Sequence, residues 1–247
     1  MGNILVEVCC GSADDAVESF QAGADRVELN SDLFHGGLTP SIGELIVAKK
    51  HTGLKIMTTV RPREGGFCYT ENEFATAIED AKLLLAHGSD GLVFGFLKSD
   101  GTIDAERTKI MKQIAGDKTT VFHRAIDVVP NWKSALDTLI SLGITRVLTS
   151  GQESNVFFGI ETVKEMITYA DGRIEILPGA GITLKNIDRI VSETGCDQVH
   201  VAHYKPYSDS SVNNNREIFY GGALYPPEDR FNMVDRDYIS AIVNMTN

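Results

Sequence analysis

The sequence predicts an α/β protein built as a single-domain TIM barrel, in which eight β-strands are each followed by an α-helix. Eight short apolar runs recur along the 247 residues, and segments with the apolar spacing of a helix separate them. This alternation, in a chain of this length, is typical of the barrel. The strands are expected at residues 4–9, 25–29, 55–60, 91–95, 120–124, 146–149, 174–177 and 198–202.

Glycines and capping residues indicate where the helices begin and end. A glycine follows each of seven helical segments, and glycine ends helices readily because it adopts the left-handed conformation. Thr70 and Glu73 form a capping box before the third helix. Thr39, followed by a proline, is expected to cap the second helix, and Thr183 the seventh. The seven glycines are Gly23, Gly53, Gly88, Gly116, Gly143, Gly172 and Gly195.

One connection is much longer than the others. About thirty residues, 203–234, separate the last strand from a final helix expected near residues 235–245. They could form a lid, a subunit contact or a disordered excursion, and their tyrosines and Phe219 favour an ordered segment. Nothing else divides the chain, so residues 1–247 are predicted to form one domain. A doubly wound open sheet is the alternative, but no dinucleotide fingerprint follows the first strand.

Composition narrows the classes of partner. The net charge of −11 argues against nucleic acid and anionic membranes, and no apolar run reaches the ~20 residues of a membrane span. The N-terminus enters the first strand without a signal segment. Four cysteines, two of them adjacent, indicate free thiols, so we expect a cytoplasmic protein. We expect no organic cofactor.

Charged side chains stand near the C-terminal ends of several strands, where barrel enzymes place their active sites. Glu7 and Glu28 interrupt apolar runs, Arg61 and Arg63 close the third strand, and His123 closes the fifth. We expect Glu7, Glu28 and His123 to transfer protons and Arg61, with Arg63, to bind an anion. The alternative is a structural salt-bridge network that fills the top of the barrel.

Two loops of small residues follow the sixth and seventh strands. Ser150 and Gly151 lie in the first loop, and Gly179 and Gly181 in the second. Backbone N–H groups in such loops bind phosphate in many barrels, so these residues are predicted to contact a small anion. The alternative is a pair of tight turns that need glycine for steric reasons.

Of the four cysteines, only Cys9 falls naturally at the predicted pocket. Cys10 follows it directly and should face away from the pocket, because side chains alternate along a strand. The sequence has no CxxC spacing and no His/Cys cluster, so a zinc site is not expected. Cys9 is the candidate ligand for a soft metal such as Cu(I), with Cys10 or Cys68 as candidates for an additional ligand.

A series of segments, in order from the first strand to the seventh helix, carries a family resemblance. They are Glu7–Val8–Cys9, Ala22–Gly23–Ala24–Asp25–Arg26–Val27–Glu28–Leu29, Gly36–Gly37–Leu38–Thr39–Pro40–Ser41, Arg61–Pro62–Arg63, Asp90–Gly91–Leu92–Val93–Phe94–Gly95, Phe122–His123–Arg124–Ala125, Leu148–Thr149–Ser150–Gly151 and Pro178–Gly179–Ala180–Gly181–Ile182–Thr183. Together they resemble the CutC-type copper homeostasis protein family. The resemblance implies a TIM barrel, a cytoplasmic location, homo-oligomers, and copper tolerance with Cu(I) binding.

The chain also departs from that family's pattern. Asn30 stands where the family commonly has a cysteine at the end of the second strand, and the strand-eight histidine–cysteine–serine run reads His200–Val201–Ala202. A site with two thiolates is therefore unavailable, and the resemblance implies weak Cu(I) binding through Cys9. Two alternatives stay open: an enzyme performing acid/base chemistry on a small anionic or phosphorylated metabolite, and a scaffold that acts through its oligomer surface.

Overall fold

A computed structural model describes residues 4–222 and 227–246, and it confirms the predicted barrel. Each expected strand is present, with bounds shifted by one or two residues at most. The strands are β1 Leu5–Cys10, β2 Arg26–Leu29, β3 Lys55–Thr59, β4 Gly91–Phe94, β5 Thr119–Phe122, β6 Arg146–Thr149, β7 Glu175–Pro178 and β8 Gln198–Val201.

All eight strands lie in one parallel sheet that curls into a barrel. Their order is β7-β6-β5-β4-β3-β2-β1-β8, and β7 and β8 pack against each other so that the barrel is nearly closed. The register places Glu7 of β1 between Arg26 of β2 and His200 of β8. Since alternate residues share a face, Cys9 and Glu28, one step further along, project into the barrel nearer its C-terminal end.

Helices surround the sheet, and apolar side chains fill the layer between. They are α1 Ala13–Gln21, α2 Ile42–His51, α3 Glu71–Ala86, α4 Ala105–Ala115, α5 Trp132–Ser141, α6 Ile160–Ala170, α7 Ile187–Thr194 and α8 Arg236–Thr246. A smaller apolar group of Met57, Val93, Val121, Leu148 and Leu177 fills part of the barrel interior. Within the described residues, no helix is long and apolar enough to cross a membrane.

One of the three predicted helix caps is confirmed. Thr70 and Glu73 form the expected capping box of α3. The prediction for α2 was wrong: Ser41 caps that helix, because the Thr39 hydroxyl instead accepts a hydrogen bond from the backbone of Arg61 at 3.0 Å. The prediction for α7 was also wrong. Thr183 lies in a turn before the helix, which begins only at residue 187.

Six of the seven glycines have positive φ after their helices, a region that glycine adopts readily. Gly53 does not, because α2 ends at His51 and the next residue, Thr52, is already extended.

The long connection contains a β-hairpin. Strands β9 (Tyr204–Ser208) and β10 (Arg230–Val234) pair antiparallel, which supports the ordered alternative for this segment. The Tyr204 hydroxyl donates to the carbonyl of Cys9 at 2.9 Å, and the Val234 N–H donates to Asp15 at 2.7 Å. These contacts fix the hairpin beside β1 and α1. Residues 1–3 and 223–226, within the expected N-terminus and long connection, lie outside the described part of the chain.

Candidate functional site

A cavity of about 380 Å³ lies at the C-terminal ends of the strands, and we call it the mouth cavity. It brings together three of the predicted residues, Glu28, Arg61 and His123, with Cys9 at its edge. Gly181 also lines it, whereas Glu7 lies one layer deeper in the barrel. The full lining is Cys9, Glu28, Asn30, Leu33, Gly36, Gly37, Thr59, Arg61, Phe67, His123, Arg124, Leu148, Ala180, Gly181, His200 and Ala202.

A chain of charged groups leads from the barrel interior to the mouth cavity. His200 Nδ1 donates to Glu7 Oε1 at 2.8 Å, and its Nε2 lies 3.5 Å from Glu28 Oε2. Thr59 donates to the other oxygen of Glu28 at 2.6 Å. Below them, Arg26 donates to Glu7. The imidazole of His200 therefore joins two buried carboxylates.

These contacts shift the pKa values of Glu7 and Glu28 in opposite directions. Burial raises the pKa of Glu7, but the His200 hydrogen bond and the charges of Arg26 and Arg146 outweigh it and lower the pKa to about 2. The pKa of Glu28 is raised, because burial dominates there and the Glu7 charge adds to it. Burial lowers the pKa of His200, but its hydrogen bonds to Cys9 and Glu7 and the charges of Glu28 and Glu7 raise it well above the usual value. Glu7 is thus the fixed anion, and Glu28 holds its proton more tightly.

Cys9, Glu28 and His200 form a group of candidate metal ligands, which we call the Cys9 cluster. One ligand atom from each lies within 4.8 Å of the others. The sequence shows no local His/Cys cluster because these residues are distant along the chain and meet only through strand pairing. The Asn30 amide donates to Cys9 Sγ at 3.6 Å. Cys10 faces α1, as predicted, with its sulfur 3.4 Å from Ser19 Oγ.

His123 is buried at the end of β5 as a neutral imidazole. Its Nδ1 accepts the backbone N–H of Ala125 at 3.1 Å, which places the ring proton on Nε2. Burial, with repulsion from Arg61 and Arg124, lowers its pKa to about 3. Among the described residues, Nε2 has no hydrogen-bond partner. A side chain at Gly95 would lie 2.4 Å from the ring, so the close approach of β4 requires glycine there.

The two arginines after β3 differ in position. The terminal nitrogens of Arg61 donate to the carbonyls of His35, Gly37 and Gly65 at 2.8–3.1 Å, which leaves only Nε without a partner in the described chain. Arg63 lies outside the lining of the mouth cavity. It binds Glu73 at 2.7 Å and carbonyls of its own loop. Arg61 thus offers one donor to a ligand, and Arg63 braces the loop.

The backbone N–H groups of the loop after β6 already bind a carboxylate of the protein, that of Asp127. Asp127 accepts the backbone N–H groups of Ser150 and Gln152 at 3.0–3.2 Å and the Thr149 hydroxyl at 2.5 Å. The N–H of Gly151 donates to Thr149 Oγ1 at 2.9 Å. The donors predicted at Ser150 and Gly151 are therefore engaged by Thr149 and Asp127.

The loop after β7 is only partly engaged. The Gly179 N–H donates to the Thr149 carbonyl at 2.9 Å, and a side chain at Gly179 would collide with Leu148. Ala180 and Gly181 follow with φ values of +74° and +80°, a conformation that costs a residue such as alanine about 1–2 kcal/mol. In the described chain their N–H groups have no acceptor, although both residues line the mouth cavity. Gly181 is thus the predicted loop donor that remains free.

Sequence reasoning missed His200 and Asp127 as site residues. A signal for His200 was present, since it alternates with Gln198 and Ala202 on a strand expected beside β1. Asp127 follows the fifth strand by a few residues, and its role depends on a loop 22 to 25 residues away.

Comparisons with known proteins agree with this architecture. The model of the CutC family matches residues 4–205. A family protein CutC of Treponema denticola is 54% identical, covering 98% of this chain and 99% of its own. The human copper homeostasis protein cutC homolog is 38% identical over 94% of this chain and 85% of its own. The crystal structure of the CutC protein of Streptococcus agalactiae superposes with a TM-score of 0.76 at 35% identity, covering 80% of this chain and 97% of the other.

Proposed function

The chain belongs to the CutC family, and we propose that it acts in copper homeostasis by binding one Cu(I) ion at the mouth cavity. The observation that carries this proposal is the Cys9 cluster, whose ligand atoms lie within 4.8 Å of one another. Three ligand atoms arranged in a plane around one ion, at metal bonds of about 2.0–2.3 Å, lie about 3.5–4.0 Å apart. Metal binding would therefore draw the three side chains closer together.

The donor set suits Cu(I) in part. The Cys9 thiolate is a soft ligand, and an imidazole also suits copper, whereas the Glu28 carboxylate prefers harder ions. Glu7 holds Nδ1 of His200 and so directs Nε2 towards the cluster, as carboxylates do behind many metal-bound histidines. Asn30 replaces a second thiolate beside Cys9, so we expect weak binding. Uptake of copper at Nε2 would release the proton of His200.

An anaerobic titration with Cu(I) against a chromogenic chelator tests the proposal. We expect one equivalent to bind wild type and the site to be lost in Cys9→Ser. Cys68→Ser is the matched control, because Cys68 is exposed on a loop. Equal Cu(I) retention by wild type and Cys9→Ser would contradict the proposed Cu(I) site at Cys9.

A second candidate is an enzyme that performs acid/base chemistry on a small anionic or phosphorylated metabolite. It is favoured by the joint placement of Glu28, whose pKa is raised, and the neutral His123 in one cavity. Here Glu28 would exchange a proton with the ligand while His123 Nε2 donates to a ligand oxygen, and Arg61 would add positive charge. The test is deuterium exchange from solvent into a bound metabolite, which we expect to stop in Glu28→Gln.

This second candidate replaces the predicted proton-transfer role of Glu7 and the predicted anion-binding roles of Arg63, Ser150, Gly151 and Gly179, because their polar groups are engaged within the protein. Glu7 would hold His200 in place, and Gly181 would donate from the loop after β7. Arg63, Ser150, Gly151 and Gly179 would shape the surrounding loops. A cytoplasmic location, one domain over residues 1–247 and homo-oligomers complete the proposal. Size-exclusion chromatography with light scattering tests the last of these.

A further inference from the structure

We propose that the mouth cavity holds a small carboxylate ligand, whose oxygens accept hydrogen bonds from His123 Nε2 and Arg61 Nε. This inference rests on the second candidate function and names the chemical class of its ligand. Both residues line the cavity, and both are more than nine-tenths buried. Neither nitrogen has a hydrogen-bond partner in the part of the chain that the structure describes. Native proteins satisfy most buried donors, so two such donors in one cavity indicate a missing acceptor.

The two donors belong to one local structure. Phe67 packs on both residues: its ring centroid is 4.8 Å from that of His123 and 5.6 Å from Arg61 Cζ. The remaining nitrogens of Arg61 are fixed by three carbonyls, and His123 Nδ1 is fixed by Ala125. Both free N–H groups are therefore held in place before a ligand arrives, which lowers the cost of binding.

The cavity can also add donors and positive charge. Arg124 lines it together with Arg61, and Ala180 and Gly181 present N–H groups that have no acceptor among the described residues. Glu28 is the single carboxylate in the described lining, and it is already bonded to Thr59. These donors and positive charges favour an anionic oxygen as the hydrogen-bond acceptor in the cavity.

Most backbone N–H groups that could bind a phosphate are already hydrogen-bonded within the protein, and this favours a carboxylate as the ligand. Barrels commonly bind phosphate with the N–H groups that follow the later strands. In this chain Asp127 and Thr149 occupy those of Ser150, Gly151, Gln152 and Gly179, so that after β6 and β7 only the N–H groups of Ala180 and Gly181 lining the cavity lack an acceptor among the described residues. The buried side-chain nitrogens of the lining that lack a partner among the described residues are two single N–H groups, Arg61 Nε after β3 and His123 Nε2 after β5. Two single donors match the two oxygens of a carboxylate, and Leu33, Phe67 and Leu148 give the rest of the cavity an apolar lining.

The test follows the histidine ring resonances of metal-free protein by NMR, with acetate and oxalate as probes and inorganic phosphate as the comparison. We expect both carboxylates to shift the Nε2–H signal of His123 saturably, and phosphate to bind more weakly. His123→Asn keeps an acceptor for the Ala125 N–H, as a helix-capping asparagine does, but lacks the Nε2 donor. It should weaken carboxylate binding roughly tenfold. His51→Asn, on the exposed surface of α2, should leave it unchanged.

The possible results separate three claims: the ligand site at His123, the carboxylate class of the ligand, and the enzyme hypothesis. An unshifted His123 signal with both carboxylates, or equal affinity in wild type and His123→Asn, would overturn the proposed ligand site. Phosphate binding as tight as carboxylate binding would overturn the ligand class. If carboxylates bind at His123 but Glu28→Gln leaves deuterium exchange unchanged, the ligand site stands and the enzyme hypothesis fails. Cu(I) uptake through Cys9 is measured separately and is independent of these results.

Discussion

The neutral state of His123 makes a quantitative prediction about stability in acid. In the folded protein its pKa is about 3, because burial and the nearby arginines disfavour the imidazolium, whereas an unfolded histidine titrates near 6.5. Below pH 6.5 His123 therefore binds a proton in the unfolded chain but stays neutral in the folded protein. Stability falls as the pH falls, and the loss is complete only near pH 3. Between about pH 7.5 and pH 5.0 the expected loss from this residue is about 2 kcal/mol.

Urea unfolding of wild type and His123→Asn at these two pH values measures the effect. Other titrating groups, including Glu28 and His200, contribute to both proteins and cancel in the difference. We expect the wild type to lose about 2 kcal/mol more than the variant over this interval. Parallel pH dependences, or an NMR titration that places the pKa of His123 near 6.5, would refute a buried neutral imidazole.

Three further predictions concern the groups around the site. Glu7→Gln should cost about 3–5 kcal/mol of unfolding free energy, because it leaves Arg26 buried beside an uncharged group. Asp127→Ala should cost about 2–4 kcal/mol and expose the loop after β6 to proteolysis, because several donors in that loop lose their acceptor. Thr70→Ala should cost about 1 kcal/mol through the lost cap of α3. Urea unfolding measures all three free energies.

Surface substitutions of the same type serve as controls. Glu79→Gln and Thr76→Ala change exposed residues of α3, and each should stay within about 0.5 kcal/mol of wild type. A Glu7→Gln protein as stable as Glu79→Gln would mean that Glu7 does not neutralise the buried arginines. Unchanged proteolysis in Asp127→Ala would show that the loop does not depend on that carboxylate.

The barrel was predictable from sequence because its signals are local. Apolar runs and helix-ending glycines occur within each unit, and the order of the units follows from the fold itself. The misplaced caps at Thr39 and Thr183 show the limit of that approach. Thr39 is drawn away from α2 by a backbone group 22 residues later in the chain, which a local pattern does not reveal.

The candidate site was predictable in outline only. Their positions near the C-terminal ends of their strands predicted that Glu28, Arg61 and His123 meet at one end of the barrel, and they share the mouth cavity. Which atoms remain free for a ligand depends on long-range contacts. Asp127 fills the predicted anion loop, three carbonyls fix Arg61, and His200 reaches Cys9 only because β8 pairs with β1.

The copper proposal is tested most directly by X-ray absorption at the copper edge of protein loaded anaerobically with one equivalent of Cu(I). We predict one sulfur ligand and one imidazole nitrogen ligand, with the sulfur signal lost in Cys9→Ser and kept in Cys68→Ser. A spectrum with two sulfur ligands, or one without imidazole, would contradict copper binding by Cys9 and His200.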